Sequence, residues 1–184
     1  MIFFSPCDIP VAETMNAWRT MGGTHFFIML SEVAGPTTSA GIALTILLGL
    51  FIRRNYFAMA GFALAVAGAN AAWVLAKALV ARPRPGIEYA SFIEPGYAFP
   101  SGHATNAFAF GVFLAVMLMR TMPVGAVRLL ALSLPLLMAA LIAFGRVYLG
   151  VHYVSDVVAG AVLGSAAGYA GVLLHDFLAR RIRR

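Results

Sequence analysis

The chain is poor in charge and almost without cysteine. Of its 184 residues only 11% are Asp, Glu, Lys or Arg, and a single cysteine, Cys7, is present. Soluble domains carry about 25% charged residues, so a water-soluble globule is a poor description. A lone cysteine closes no intrachain disulfide and leaves the redox compartment open. No apolar run precedes Cys7 to mark it for lipidation, and it is read as incidental. The first residues lack a basic start, and Asp8 and Glu13 interrupt the apolar stretch, so no secretory leader is expected. Repeats, low-complexity tracts and linkers are missing too, which points to one domain over 1–184. No carboxylate cluster suited to magnesium stands out, so neither a metal nor another cofactor is expected.

What remains is apolar. Hydrophobic residues make up 61% of the chain and the mean hydropathy is +0.88. A membrane-crossing helix needs about 20 mainly apolar residues, and five stretches meet or approach that: 35–52, 56–80, 103–119, 127–145 and 156–177. The predicted fold is therefore an all-α polytopic membrane bundle. Residues 1–34 form an N-terminal segment, 35–177 a helical core and 178–184 a basic tail. Within 10–34, the residues Glu13, Arg19, His25 and Glu32 and the pair Gly22-Gly23 favour one or two interfacial helices over a sixth span.

The net charge of +6 does not indicate nucleic acid, because the cations are scattered between apolar runs instead of gathered on a polar face. Arg53, Arg54, Arg120, Arg128, Arg180, Arg181, Arg183 and Arg184 all fall at one end of five alternating spans. The positive-inside rule makes that end cytoplasmic. Arg19, Lys77, Arg82, Arg84 and Arg146 fall at the other end, where topology gives no reason for them. They are read as functional charges. The four-residue spacing of Gly160, Gly164 and Gly168 allows close helix packing. Packing within the chain is preferred, and a homo-oligomer is the alternative.

Three polar patches share the outer end: "KALVARPRP" (77–85), "PSGH" (100–103) and "GRVYLGVHYVSD" (145–156). The prolines stop the second span. A helix start at Ser101-Gly102 offers free amides and the positive end of a dipole to an anion. Arginine adds a planar match to phosphate oxygens. Together the patches predict a phosphate site with two imidazoles.

The ordered triplet resembles the signature of the type 2 phosphatidic acid phosphatase superfamily, which includes membrane lipid phosphatases and soluble vanadium haloperoxidases. Its first part is matched by Lys77 and Arg84-Pro85, its second by Pro100-Ser101-Gly102-His103, and its third by Arg146, His152 and Asp156. Gly145 departs from the serine usual before the third-motif arginine, and Val154 stands where proline is frequent. The resemblance implies His152 as a nucleophile forming a phosphohistidine, Asp156 as the holder of its other ring proton, and His103 as general acid and then base. It implies Lys77, Arg84, Ser101, Gly102 and Arg146 as phosphate-binding residues, without a metal. Arg82 is divided between headgroup contact and the site. Glu88 and Glu94 are left between substrate and solvent.

The expected function is removal of a terminal phosphate from a lipid phosphate or diphosphate, within the bilayer and at the outer face of a cytoplasmic membrane. Undecaprenyl diphosphate is favoured. Phosphatidylglycerol phosphate, phosphatidate and lipid A phosphates remain alternatives, as does a lipid phosphotransferase. A non-catalytic lipid-phosphate binder or transporter is the reading from a different class.

Overall fold

The computed structural model describes residues 5–182, and every regular element among them is an α-helix. In chain order these are α1 (Asp8–Trp18), α2 (Met21–Val33), α3 (Pro36–Ile52), α4 (Tyr56–Val80), α5 (Gly102–Thr121), α6 (Ala126–Tyr148) and α7 (Val154–Ile182). By length and composition, α4, α5, α6 and α7 can each cross a membrane. Helices α2 and α3 reach that measure only as a pair, bent by 48° at a short break. Their break falls at Ala34-Gly35, and Pro36 starts α3, a position where its missing N–H costs nothing. Among the described residues the helices long and apolar enough to cross a membrane number four, or five with the bent pair counted as one.

Local chemistry sets the ends. The Asn55 side chain accepts from the Ala58 amide to open α4. At its far end Ala81 takes a left-handed φ of 46°, and the prolines at 83 and 85 forbid further helix. Ser101 caps α5, its hydroxyl accepting from the Ala104 amide. Between α6 and α7 the chain turns at Gly150, φ 70°. A Cβ there would run into the Tyr89 carbonyl, so this turn needs glycine for both backbone and space.

The glycine stripe of α7 lies on α5. Side chains added at Gly160 and Gly168 would stand 2.7 Å from the Ser101 carbonyl and 2.6 Å from the Ala109 carbonyl, and one at Gly164 would strike the Thr105 carbonyl. The stripe is thus used within the chain, as the sequence favoured. Phe62, Phe113 and Val172 fill the space between α4, α5 and α7.

Large apolar side chains such as Leu48, Leu75, Leu129, Leu137, Val162 and Leu173 cover the outside. On helices of this length they fit lipid and not water. The chain is an integral, multi-pass membrane protein. One end of the bundle carries Arg53, Arg54, Arg180 and Arg181, with Arg120 gripping Asp176 at 2.6 and 2.9 Å. Arg183 and Arg184 lie outside the described residues. The opposite end carries all three polar patches.

Candidate active site

The segment between α4 and α5, residues 81–101, is irregular but fastened. The Ala98 amide donates to the Arg82 carbonyl at 2.8 Å, the Ser91 amide to the Leu149 carbonyl at 2.9 Å, and the Ser101 amide to the Asp156 carbonyl at 3.0 Å. Arg19, between α1 and α2, adds two ties: Nε to the Tyr148 carbonyl at 3.0 Å and Nη2 to the Tyr89 carbonyl at 2.6 Å. The three patches are held together by backbone contacts that no motif discloses.

They enclose a cavity of about 420 Å³. Lys77, Arg84, Glu94, Gly102, His103 and His152 line its polar end. Both candidate histidines therefore face one space. Two expected phosphate ligands do not line it. The Ser101 side chain is fully buried and its oxygen caps α5, and of that motif the lining comes from Gly102 and His103. Arg146 is also buried, and lies behind Glu94.

His152 sits in the turn before α7, 2% exposed. Its Nε2 lies 3.2 Å from Nη1 of Arg84, and its Nδ1 lies 3.6 Å from Oδ2 of Asp156. The second separation is an ion-pair distance, longer than a hydrogen bond. Asp156 Oδ2 accepts instead from the Tyr153 amide at 2.9 Å. Burial, then the charges of Arg146, Arg84, Lys77 and His103, hold the His152 imidazole well below its ordinary pKa. The ring is therefore neutral at pH 7.

Arg84 is fully engaged. It donates to the carbonyls of Gly96, Val151 and Pro95 at 3.1, 2.8 and 3.1 Å, and to Glu94 Oε1 at 3.0 Å. Glu94 reaches on to Arg146, so one carboxylate lies between two guanidiniums. An anion is held where the arginines would meet phosphate. Of the two acids left undecided by the sequence, Glu94 is in the cavity and Glu88 is exposed. Lys77 donates to the Tyr97 carbonyl and stands 5.8 Å over the Trp73 ring.

Gly145 has a local explanation. A Cβ there would lie 2.7 Å from the Phe27 ring of α2, so serine does not fit. Arg146 instead takes its hydroxyl contact from Ser31 of α2. Arg82, expected in part at the headgroup surface, is 4% exposed and bonded to Asp156 and Asp8. Sequence reasoning missed Asp8, Ser31, Asn70, Trp73 and Asn106. These residues carry polar groups on apolar faces, and only their neighbours across the bundle give them a role.

Below the histidines the lining turns apolar. Ala34, Ser39, Asn106 and Phe110 are shared with a second cleft of about 200 Å³, walled by Leu30, Ile42, Leu114, Met138 and other apolar residues of α2, α3, α5 and α6. A polar, cationic chamber thus lies against an apolar cleft and shares four wall residues with it.

The PAP2 superfamily model matches residues 58–180, and the chain belongs to that superfamily. It is 37% identical over 119 residues to the decaprenylphosphoryl-5-phosphoribose phosphatase of Mycobacterium tuberculosis, covering 63% of this chain and 59% of that one. It is 36% identical over 88 residues to the lipid A 4'-phosphatase of Bacteroides thetaiotaomicron, covering 48% and 36%. The match to phosphatidylglycerophosphatase B of Bacillus subtilis is 34% over 90 residues, covering 48% and 43%. The matched segments thus span between about one third and three fifths of these relatives' lengths. In fold, the chain is similar to the crystal structure of a transmembrane PAP2 type phosphatidylglycerolphosphate phosphatase from Bacillus subtilis. The TM-score is 0.81 and the identity 23%, over 95% of this chain and 85% of that one. Aquifex aeolicus LpxE gives a TM-score of 0.75 at 23% identity, over 94% and 98%.

Proposed function

We propose that the protein is a lipid phosphatase that removes a terminal phosphate from a polyprenyl phosphate or diphosphate, undecaprenyl diphosphate foremost, through a phosphohistidine. The carrying observation is that His103 and His152 face one cationic cavity that shares wall residues with an apolar cleft. One slot of about 200 Å³, roughly the room of six or seven waters, suits the first part of a single chain. A prenyl tail presents one chain; a glycerolipid presents two. A relative matched over 119 residues also carries a decaprenyl lipid in its name. The site would face the outer side of a cytoplasmic membrane, opposite the arginine-rich end.

In the proposed reaction the phosphate displaces Glu94 and is held by Arg84, Lys77, Arg146 and the Gly102 amide. Arg146 Nε is buried without a hydrogen-bond partner and is a donor in reserve. Neutral His152 attacks phosphorus through Nε2. A P–N bond forms and the P–O bond to the lipid breaks, while His103 gives a proton to the leaving oxygen. His103, now a base, takes a proton from water, and the resulting hydroxide cleaves the P–N bond to release inorganic phosphate. Asp156 faces the Nδ1 proton throughout and offsets the positive charge of the phosphorylated ring. The cations supply the field that stabilises the transferring group.

The test is inorganic phosphate release by purified protein in detergent, with chelator, from prenyl, glycerol and glucosamine lipid phosphates. Highest turnover on undecaprenyl diphosphate, lost in His152→Ala and blocked by orthovanadate, is expected. Release from none would favour a binder, and preference for a two-chain lipid would reject the prenyl assignment.

A further inference from the structure

Helix α1 has no place in the three-part signature, yet it delivers a carboxylate to the deepest part of the site. Asp8 is 1% exposed at the start of α1. Its Oδ2 accepts from Arg82 Nη2 at 2.8 Å and from the Ser155 hydroxyl at 2.7 Å, and its Oδ1 from the Ser155 amide at 3.0 Å. Arg82 in turn donates through Nη1 to Asp156 Oδ1 at 2.7 Å and to the Ser155 hydroxyl at 2.7 Å. Its guanidinium lies 4.2 Å from the centre of the Tyr153 ring. Asp156, fully buried, has its other oxygen toward His152. Four residues from three separate parts of the chain thus make a line: Asp8, Arg82, Asp156, His152.

The charges along that line have a chemical consequence. A buried carboxylate is costly unless paired, and His152 is neutral at rest, so the pairing of Asp156 is with Arg82, at 2.7 Å. Arg82 alone would also cancel the negative charge that His152 needs once phosphorylated. Asp8 restores it, because two carboxylates around one guanidinium carry a net negative charge. Burial pushes the Asp8 carboxyl up, but the bonds from Ser155, Arg82 and the Ser155 and Ser5 amides outweigh it and leave it below its ordinary pKa. It is therefore ionised at neutral pH.

We propose that Asp8 and Arg82 are positioning residues that act on His152 through Asp156, making helix α1 a working part of the site. The inference rests on the phosphohistidine reading above. Neither residue lines the cavity, so neither touches substrate. They fix the direction of the Asp156 carboxylate and supply countercharge when Nε2 takes the phosphoryl group while Nδ1 keeps its proton. Outer partners of metal-bound imidazoles change activity by about 10–100-fold when removed, and a loss of the same order is expected here.

The experiment uses the full chain in detergent with Arg82→Gln, Arg82→Lys and Asp8→Asn, assayed on the lipid phosphate that the wild type hydrolyses fastest. Arg82→Gln should lower kcat by about 10-fold or more with KM within about twofold, Arg82→Lys should recover part of the loss, and Asp8→Asn should lower kcat by about 3–10-fold. The double variant should be no worse than Arg82→Gln alone, because Asp8 works through Arg82. Nitrogen-15 imidazole spectra give a readout independent of turnover. In Arg82→Gln the His152 signals should move away from the Nδ1–H tautomer while those of His25 and His175 stay in place. A kcat within twofold of wild type in Asp8→Asn, a loss expressed in KM, or an unmoved His152 signal would overturn the inference. Should Arg82→Gln not fold, Asp8→Asn and Arg82→Lys decide it alone. A wild type that releases no phosphate would remove the hydrolase reading, and the imidazole signals would still judge the relay.

Discussion

Nη1 of Arg84 stands 3.2 Å from Nε2 of His152. Arginine only donates, so Nε2 must be the acceptor and the neutral ring carries its proton on Nδ1, facing Asp156. One guanidinium therefore selects the tautomer and, in the proposed reaction, marks the nitrogen that meets phosphorus. Lysine keeps the charge but lacks the rigid fork that also holds Gly96, Val151 and Pro95. Arg84→Lys is expected to lower kcat/KM by about 100-fold or more, measured as phosphate release under subsaturating substrate.

The depressed His152 pKa has a sign that can be tested on stability. The folded pKa lies below the unfolded value, so as pH falls through about 6.5 the unfolded chain binds this proton first. The stabilising contribution is whole above that value and declines toward the folded pKa, so acid favours unfolding. Thermal unfolding midpoints at pH 7.5 and 5.5 should fall further apart in the wild type than in His152→Gln. Equal differences would deny the neutral buried ring.

Glu94 bridges Arg84 and Arg146, and in the proposed reaction it yields to phosphate. Glu94→Gln removes the competing charge while keeping the shape. Orthovanadate should inhibit this variant at a several-fold lower concentration, and KM should fall in parallel. Weaker inhibition would mean that Glu94 helps to bind the anion instead of standing in for it.

The seam between α5 and α7 makes a packing prediction. Gly164→Leu must force the helices apart at the Thr105 carbonyl, and overpacking of this kind costs about 1–3 kcal/mol or more. Its detergent-solubilised unfolding midpoint should drop. Gly41→Ala in α3, where an added methyl meets nothing within 4 Å, should leave the midpoint nearly unchanged.

The helices from α3 to α7 were legible because apolar length and proline stops are local signals. Tyr56–Val80 falls where the sequence placed it, and α7 runs beyond its expected start and end because Val154 to Ile182 contains no proline. Residues 10–34 were harder. Helix α2 carries His25 and Glu32 on an otherwise apolar run, and its relation to α3 depends on a bend at one Ala-Gly step. The meeting of His103 and His152 was readable from alternation of spans and three ordered motifs. The burial of Arg82 was not, since it depends on Asp8, 74 positions away. The burial of the Ser101 side chain, whose oxygen caps α5, was likewise not legible, because sequence spacing does not reveal a cap.

The bend at Ala34-Gly35 lies beside the residues Ala34, Pro36, Ser39 and Ala40 that wall the cavity. The side wall is therefore two half-helices meeting at an angle, set toward the surrounding hydrocarbon. On the proposed reading, molecules arrive by sliding within the sheet of lipid and need not leave it. Saturation should then track the mole fraction of substrate in mixed micelles or vesicles, and dilution at a fixed lipid ratio should hardly slow the enzyme.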